Sequence, residues 1–374
     1  MHREHHRQEL DPAGSTSPRD EGAAPPEAQA QLRADDPAIT ERIDALIADV
    51  GGDPSTFDGK LVRELLTTGL KLIPDGRDTG ELKLLTAALK ELRYAYRVFS
   101  QYQERYKVTI FGSARTPPEH PDYAAAVRFG RAMAEAGWMC ITGAGDGIMK
   151  AGHEGPGRES SFGVAIRLPF ETTANEVIAG DEKLIHFRYF FTRKLMFLAQ
   201  CDAVVLFPGG FGTMDEAFET LTLIQTGKAS MIPVVLIEGE GNAYWEQWQE
   251  FITARLLSRG LISPEDLDLY RVAHSPSEAT EQILGFYRRY HSSRYVRDDL
   301  VIRMKSPLAQ ADVERLAQEF APLIKRGTMQ QRGPYDVEDD HLDLPRLAFT
   351  HTRRQYGLVR RLIDRINQCE PADP

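Results

Sequence analysis

Cysteine is scarce in this chain. Three occur among 374 residues, Cys140, Cys201 and Cys369, far apart and without the close pairs that zinc sites and redox motifs use. Structural disulfides and a bound metal are therefore not expected. Positive charge is also in short supply: the formal net charge is −10. That argues against a broad electrostatic footprint for a nucleic-acid polymer, while a local basic site for one phosphate remains possible. Long apolar runs are missing too. The longest, near Phe197 to Phe207, is interrupted by Gln200 and Asp202, well short of the roughly 20 residues that a membrane-spanning helix needs. The polar N-terminus lacks the apolar core of a secretory signal. A cytoplasmic protein with no membrane partner is the expectation, and a hydrophobic fraction of 42% suits a packed core.

Residues 1–36 are rich in Pro, Ala, Gln and charge, with little to bury, and read as a disordered tail. His2, His5 and His6 fit a solvated terminus with fewer assumptions than a metal site. Residues 37–106 show helical spacing, with Ile39, Ile43, Leu46 and Ile47 followed by Val62, Leu65 and Leu66 and then Leu82, Leu85, Leu89 and Leu92. Turn clusters at Gly51 to Pro54 and Pro74 to Gly76 divide them, so a helical extension of about three helices is expected.

Across 107–290, short β-rich runs alternate with amphipathic stretches. The runs are Val108 to Phe111, Trp138 to Thr142, Phe162 to Leu168, Ala203 to Phe207 and Pro233 to Ile237. Strands apolar on both faces and separated by helices predict an α/β fold, a Rossmann-like parallel sheet with helices on both faces. From about Tyr290 the pattern changes. Tyr295 to Met304 reads as a strand, Ala311 to Lys325 as a helix, Leu344 to Thr350 as a strand and Arg354 to Asn367 as a basic amphipathic helix. Residues 291–374 are thus expected to form a small α+β region in β-α-β-α order.

Three predicted strand ends carry unusual loops: Gly112-Ser113-Ala114-Arg115, then Gly143-Ala144-Gly145-Asp146-Gly147, then Pro208-Gly209-Gly210-Phe211-Gly212-Thr213. Glycines let the backbone approach a ligand closely, and a helix that follows offers unpaired N–H groups to an anion. Taken singly, each loop could equally serve close packing. The dinucleotide fingerprint G-x-G-x-x-G fails at the first strand, and no Gly-Lys-Ser/Thr follows any turn, so a nicotinamide enzyme and a P-loop ATPase both lose ground. Two readings of Glu216 stay open: Thr213-x-x-Glu216 spells a helix capping box as well as a carboxylate beside a phosphate turn. Arg193 and Lys194 are either an exposed basic pair or, given Phe190, Phe191 and Phe197 nearby, partly buried cations that need an anionic partner.

Arg193-Lys194 followed by Pro208-Gly-Gly-Phe-Gly-Thr-Met-Asp-Glu216 resembles the paired R-K and P-G-G-x-G-T-x-x-E signature of the Lonely Guy (LOG) phosphoribohydrolases. The resemblance runs over roughly Lys107 to Arg289. It implies a Rossmann-like fold without a dinucleotide, a homodimer or higher homo-oligomer with sites near the subunit interface, and hydrolysis of nucleoside 5′-monophosphates to free base and ribose 5-phosphate. Many members carry a lysine decarboxylase name, which nothing in this sequence supports. Ala144 departs from the family, standing where many members have glycine, and the long flanks resemble bacterial members more than the short cytokinin-forming enzymes.

Cleavage of an N-glycosidic bond builds positive charge on the ribose, which calls for a carboxylate that stabilises it and handles water. Glu216 is assigned that role, with Arg193 as its catalytic companion. Substrate and phosphate contacts are assigned to Gly112, Ser113, Gly143, Gly145, Gly147, Lys194, Gly209, Gly210, Gly212 and Thr213. No cofactor is called for. The competing expectation is a non-catalytic nucleotide-binding or sensing protein on the same fold.

Overall fold

A computed structural model describes residues 32–167 and 174–370; most of the tail expected over 1–36 lies outside them. The chain divides into two compact units, the first ending at Lys83 and the second beginning at Leu84. In the first, α1 (Pro37–Asp49) starts with proline in its first turn, where the missing N–H costs nothing. It buries Ile43 and Ile47, one turn apart on a single face. Its partner α2 (Phe57–Lys71) is capped by Thr56, whose hydroxyl accepts from the Gly59 amide at 3.0 Å. Arg63 of α2 reaches Asp44 of α1 at 2.5 Å. The unit boundary falls inside α3 (Thr79–Phe99). The later part of that helix belongs to the second unit, where Phe99 stacks on Phe162 with ring centres 4.5 Å apart.

The second unit is built on a seven-stranded, wholly parallel sheet. In chain order its elements are β1 (Lys107–Phe111), α4 (Pro121–Glu135), β2 (Met139–Thr142), α5 (Ile148–Glu154), β3 (Ser161–Ile166), β4 (Leu184–Phe187), α6 (Phe190–Ala199), β5 (Ala203–Leu206), α7 (Phe211–Gln225), β6 (Val234–Ile237), α8 (Tyr244–Phe251), β7 (Arg271–Ala273) and α9 (Pro276–Phe286). The spatial order is β4-β3-β2-β1-β5-β6-β7. Strands β1, β2, β5 and β6 are buried along their whole length, as expected when helices cover both faces. The chain winds outward from β1 in both directions, so the strand order reverses between β1 and β5. Their loops therefore diverge at the C-terminal edge and leave a crevice there.

The five strands expected from the sequence are present, and two more were not anticipated. Strands β4 and β7 span four and three residues at the two edges of the sheet and carry His186 and Arg271, so neither offers a continuous apolar run.

The C-terminal order is corrected from β-α-β-α to two strands, a helix, two strands and a helix. It comprises β8 (Tyr290–Val296), β9 (Asp299–Met304), α10 (Gln310–Glu319), β10 (Ile324–Arg332), β11 (Arg346–His351) and α11 (Tyr356–Gln368). The single strand expected over Tyr295 to Met304 is a hairpin, turned at Arg297 and Asp298, with Arg297 held at φ 56°. No glycine or Asn-Gly pair marks this turn, so the usual hairpin signal is silent. Strand β10 is mostly exposed and polar, pairs irregularly with β11 at the sheet edge, and shows no apolar alternation to betray it. These four strands form an antiparallel sheet in the order β10-β11-β9-β8. Among the described residues no helix is long and apolar enough to cross a membrane.

Candidate functional site

The loops after β1 and β5 are tied together where the strands part: the Ser113 amide donates to the Pro208 carbonyl at 3.1 Å. Beside them opens a cleft of ≈ 840 Å³. Its lining includes Gly112, Ser113 and Arg115 from the first loop, Gly143 from the second, Met149 from α5, Phe190 and Arg193 from α6, and the run Gly209 to Glu216.

Two of the glycines lie close against neighbouring side chains. A Cβ on Gly209 would lie 2.0 Å from the Thr213 hydroxyl oxygen, and one on Gly143 would lie 2.5 Å from Nη2 of Arg193. The Arg193 guanidinium thus rests against the backbone of the second loop. Its Nε donates to the Val164 carbonyl at 3.0 Å, and its Cζ stands 5.2 Å from the centre of the Phe197 ring.

The helix beginning at the third loop rules out the capping-box reading of Glu216. Helix α7 starts at Phe211 with Gly210 as its N-cap, and no side chain caps it. Thr213 is therefore the third helical residue and Glu216 the sixth, so they cannot form a capping box. Thr213 is buried, while Glu216 is half-buried on the cleft wall with Oε2 shielded from solvent and without a hydrogen-bond partner among the described residues. Burial pushes its carboxyl up to about 7 from an ordinary 4.5. Lys194 and Arg193 pull it down, and Glu219 and Asp215 add to the rise.

This value has two consequences for pH. A reaction needing the ionised carboxylate in the free enzyme should show kcat/KM rising tenfold per pH unit below about 7 and levelling above it. Between 4.5 and 7 the folded protein holds a proton that the unfolded chain has lost, so this group makes stability fall as pH rises through that window. Denaturant titrations of wild type and Glu216→Gln at pH 4 and pH 8 should show the variant gaining on the wild type at pH 8, by about 1–2 kcal/mol after allowing for partial exposure. An equal difference at both pH values would contradict the shift.

Other expected site residues fall outside the cleft lining. Lys194 pairs through Nζ with Asp215 at 2.9 Å and Glu219 at 2.6 Å. Burial pushes its ammonium down, but the bonds to these two carboxylates outweigh that and its pKa is raised. Gly147, at φ 61°, packs under the first loop, where a Cβ would come within 2.3 Å of the Ser113 carbonyl oxygen. The amide that follows it, on Ile148, is already taken by that carbonyl at 3.0 Å. A Cβ on Gly145 would meet Met149 at 2.7 Å.

The second loop is fastened from beneath by side chains that sequence reasoning did not single out. Thr142 Oγ1 accepts from the Ala144 amide at 3.1 Å, and Asn175 Nδ2 donates to the Gly145 carbonyl at 3.0 Å. His153, fully buried, lies 3.0 Å from the Thr142 hydroxyl, and burial lowers its pKa. On the other flank the Tyr244 hydroxyl donates to the Gly209 carbonyl at 2.5 Å. Ala144 adopts φ 64°, the left-handed conformation that glycine takes freely. Ala144→Gly should relieve about 1 kcal/mol of strain and lose about 0.8 kcal/mol from a buried methyl. We expect a Tm within a few degrees of wild type by calorimetry; a large destabilisation would mean that the loop depends on the methyl.

Fold and cleft together define a Rossmann-like α/β protein with a glycine-lined cleft at the switch point between β1 and β5. Residues 143–283 match a family model described as "Possible lysine decarboxylase". The match leaves β1 and its loop outside. No curated protein sequence matches the chain. Similar solved structures include the molybdenum cofactor binding protein of Rippkaea orientalis, with 20% identity and a TM-score of 0.34 over 48% of this chain and 96% of that one. They also include TM1055, at 22% and 0.35 over 48% and 98%, and the molybdenum cofactor carrier protein of Chlamydomonas reinhardtii, at 19% and 0.34 over 48% and 98%.

Proposed function

We propose that the protein hydrolyses the N-glycosidic bond of nucleoside 5′-monophosphates, releasing the free base and ribose 5-phosphate. The observation that carries this reading is Glu216: a partly buried carboxylate, with one oxygen unpartnered and a pKa near 7, on the wall of a cleft that also holds Arg193 and the start of α7. An environment that shifts a cleft carboxylate by more than two units is characteristic of acid–base chemistry.

As the bond to the base breaks, positive charge grows on the ribose, and ionised Glu216 stabilises it. The same carboxylate accepts a proton from the attacking water, whose oxygen bonds to the anomeric carbon as the bond from that carbon to the base nitrogen breaks; the departing base takes a proton from solvent, and Glu216 returns its own to solvent to complete the cycle. Arg193, braced on Val164 and Phe197, holds the substrate in register with Glu216. The 5′-phosphate is assigned to the start of α7, where Gly210, Phe211, Gly212 and Thr213 line the cleft and the helix presents its first N–H groups and the positive end of its dipole.

The decarboxylase reading gains nothing from Lys194. An amine that forms a Schiff base must lose its proton readily, and two carboxylates hold this one charged. Incubating the protein with a panel of nucleoside monophosphates and following released base by chromatography tests the proposal. Tight binding without release would instead favour a nucleotide-binding protein. A homodimer also belongs to the proposal, because Phe211 is 98% exposed and Phe190, Phe191 and Leu195 are about half-exposed beside the cleft. Light scattering after size exclusion should give twice the chain mass, and Phe211→Asp should shift it towards the monomer.

A further inference from the structure

Helices α9 and α11 pack together beside a second cavity of ≈ 560 Å³, which shares no lining residue with the cleft. Arginines dominate it: Arg271, Arg288, Arg360, Arg361 and Arg365 all line it, without a lysine. The acids there are Asp268, Glu281 and Asp364, so five positive charges face three negative ones and the lining is positive by two. This excess is local, since the whole chain carries −10.

Internal ion pairs do not use up that charge. Asp364 takes both Arg271 at 2.9 Å and Arg360 at 3.1 Å, and Asp268 takes Arg361. Arg365 pairs with Glu319, outside the lining, and Arg288 is exposed with no ion pair among the described residues. Arg360 is 3% exposed and held in place: its Nε donates to Asp364 at 3.1 Å and its Cζ lies 4.7 Å from the centre of the Phe286 ring. A guanidinium cannot shed its charge, so this fixed cation adds to the positive potential of the crevice from below.

We propose that this crevice is a binding site for a small polyanion of the phosphate class, with Arg288, Arg361 and Arg365 at the rim and Arg360 at the base. Planar guanidinium forks match phosphate oxygens two at a time, which suits a lining built from arginine alone. The volume lies in the range of small-molecule sites. Nearby, Gln225 at the end of α7 donates to Asp266 at 2.7 Å, two residues before the lining residue Asp268.

Isothermal titration of the full chain with pyrophosphate tests the assignment without reference to any reaction. Arg288→Glu/Arg365→Glu alters two exposed positions and should fold, which circular dichroism checks. Saturating ribose 5-phosphate, which would occupy the proposed phosphate position in the cleft, serves as the control for binding there. We expect wild type to bind pyrophosphate with ribose 5-phosphate present, weakened at least tenfold in the double variant under the same conditions and weakening with added salt. Indistinguishable isotherms for wild type and the double variant, loss of all pyrophosphate binding when ribose 5-phosphate is present, or no binding to wild type at millimolar pyrophosphate would each overturn the proposal. Citrate binding as tightly as pyrophosphate would overturn the phosphate class.

Discussion

Glu216→Gln should lower kcat for base release by about a hundredfold or more while the protein stays folded and still binds nucleotide. The substitution keeps the size of the side chain and removes only its charge and its capacity to take a proton. Glu216 caps no helix, since α7 begins five residues earlier at Phe211, so no loss of a cap would lower stability. Relief of a buried carboxylate works in the other direction. Activity and stability are thus expected to move oppositely above pH 7, a combination that a merely structural residue would not produce. Turnover at near wild-type kcat would remove Glu216 from the mechanism and with it the proposed chemistry.

The second large effect concerns the substrate. Comparing kcat/KM for a nucleoside monophosphate and its nucleoside should show at least about a hundredfold preference for the phosphorylated form. Charge-assisted hydrogen bonds contribute roughly 1.5–3 kcal/mol each, and losing two at the start of α7 costs about 3 kcal/mol or more. The proposal assigns the phosphate to one helix end, where the sequence pointed to two turns. Gly145 and Gly147 lie outside the cleft lining, and the Ile148 amide is committed to Ser113. Equal rates for the two substrates would refute the phosphate assignment.

The central sheet was legible because its inner strands are apolar on both faces, a pattern that few other arrangements tolerate. Strands β4 and β7 were not, because short edge strands need no such run. Turn chemistry misled at Arg297, where a non-glycine residue takes a left-handed conformation that its side chain does not advertise. Within the cleft, Gly209, Gly210, Gly212 and Glu216 could be read because one continuous segment carries them. Tyr244 and Asn175 could not, since each reaches its loop from about 30 residues away in sequence. Lys194 illustrates a subtler limit. Neighbours on a helix point about 100° apart, so Arg193 faces the cleft while the adjacent lysine faces Asp215 and Glu219 on α7.

Lys194 also bears on how far Arg193 and Glu216 can move apart. Helix α6 carries Arg193 and helix α7 carries Glu216, and the bridge from Lys194 to two carboxylates one turn apart rivets the helices side by side. In the reaction proposed above, a guanidinium and a carboxylate mounted on one stiff body would need little rearrangement as charge develops, so the electrostatic work would be done at folding rather than at each turnover. Cutting the rivet would leave both groups in the cleft but free to wander, and the proposed turnover would then depend on how often they meet.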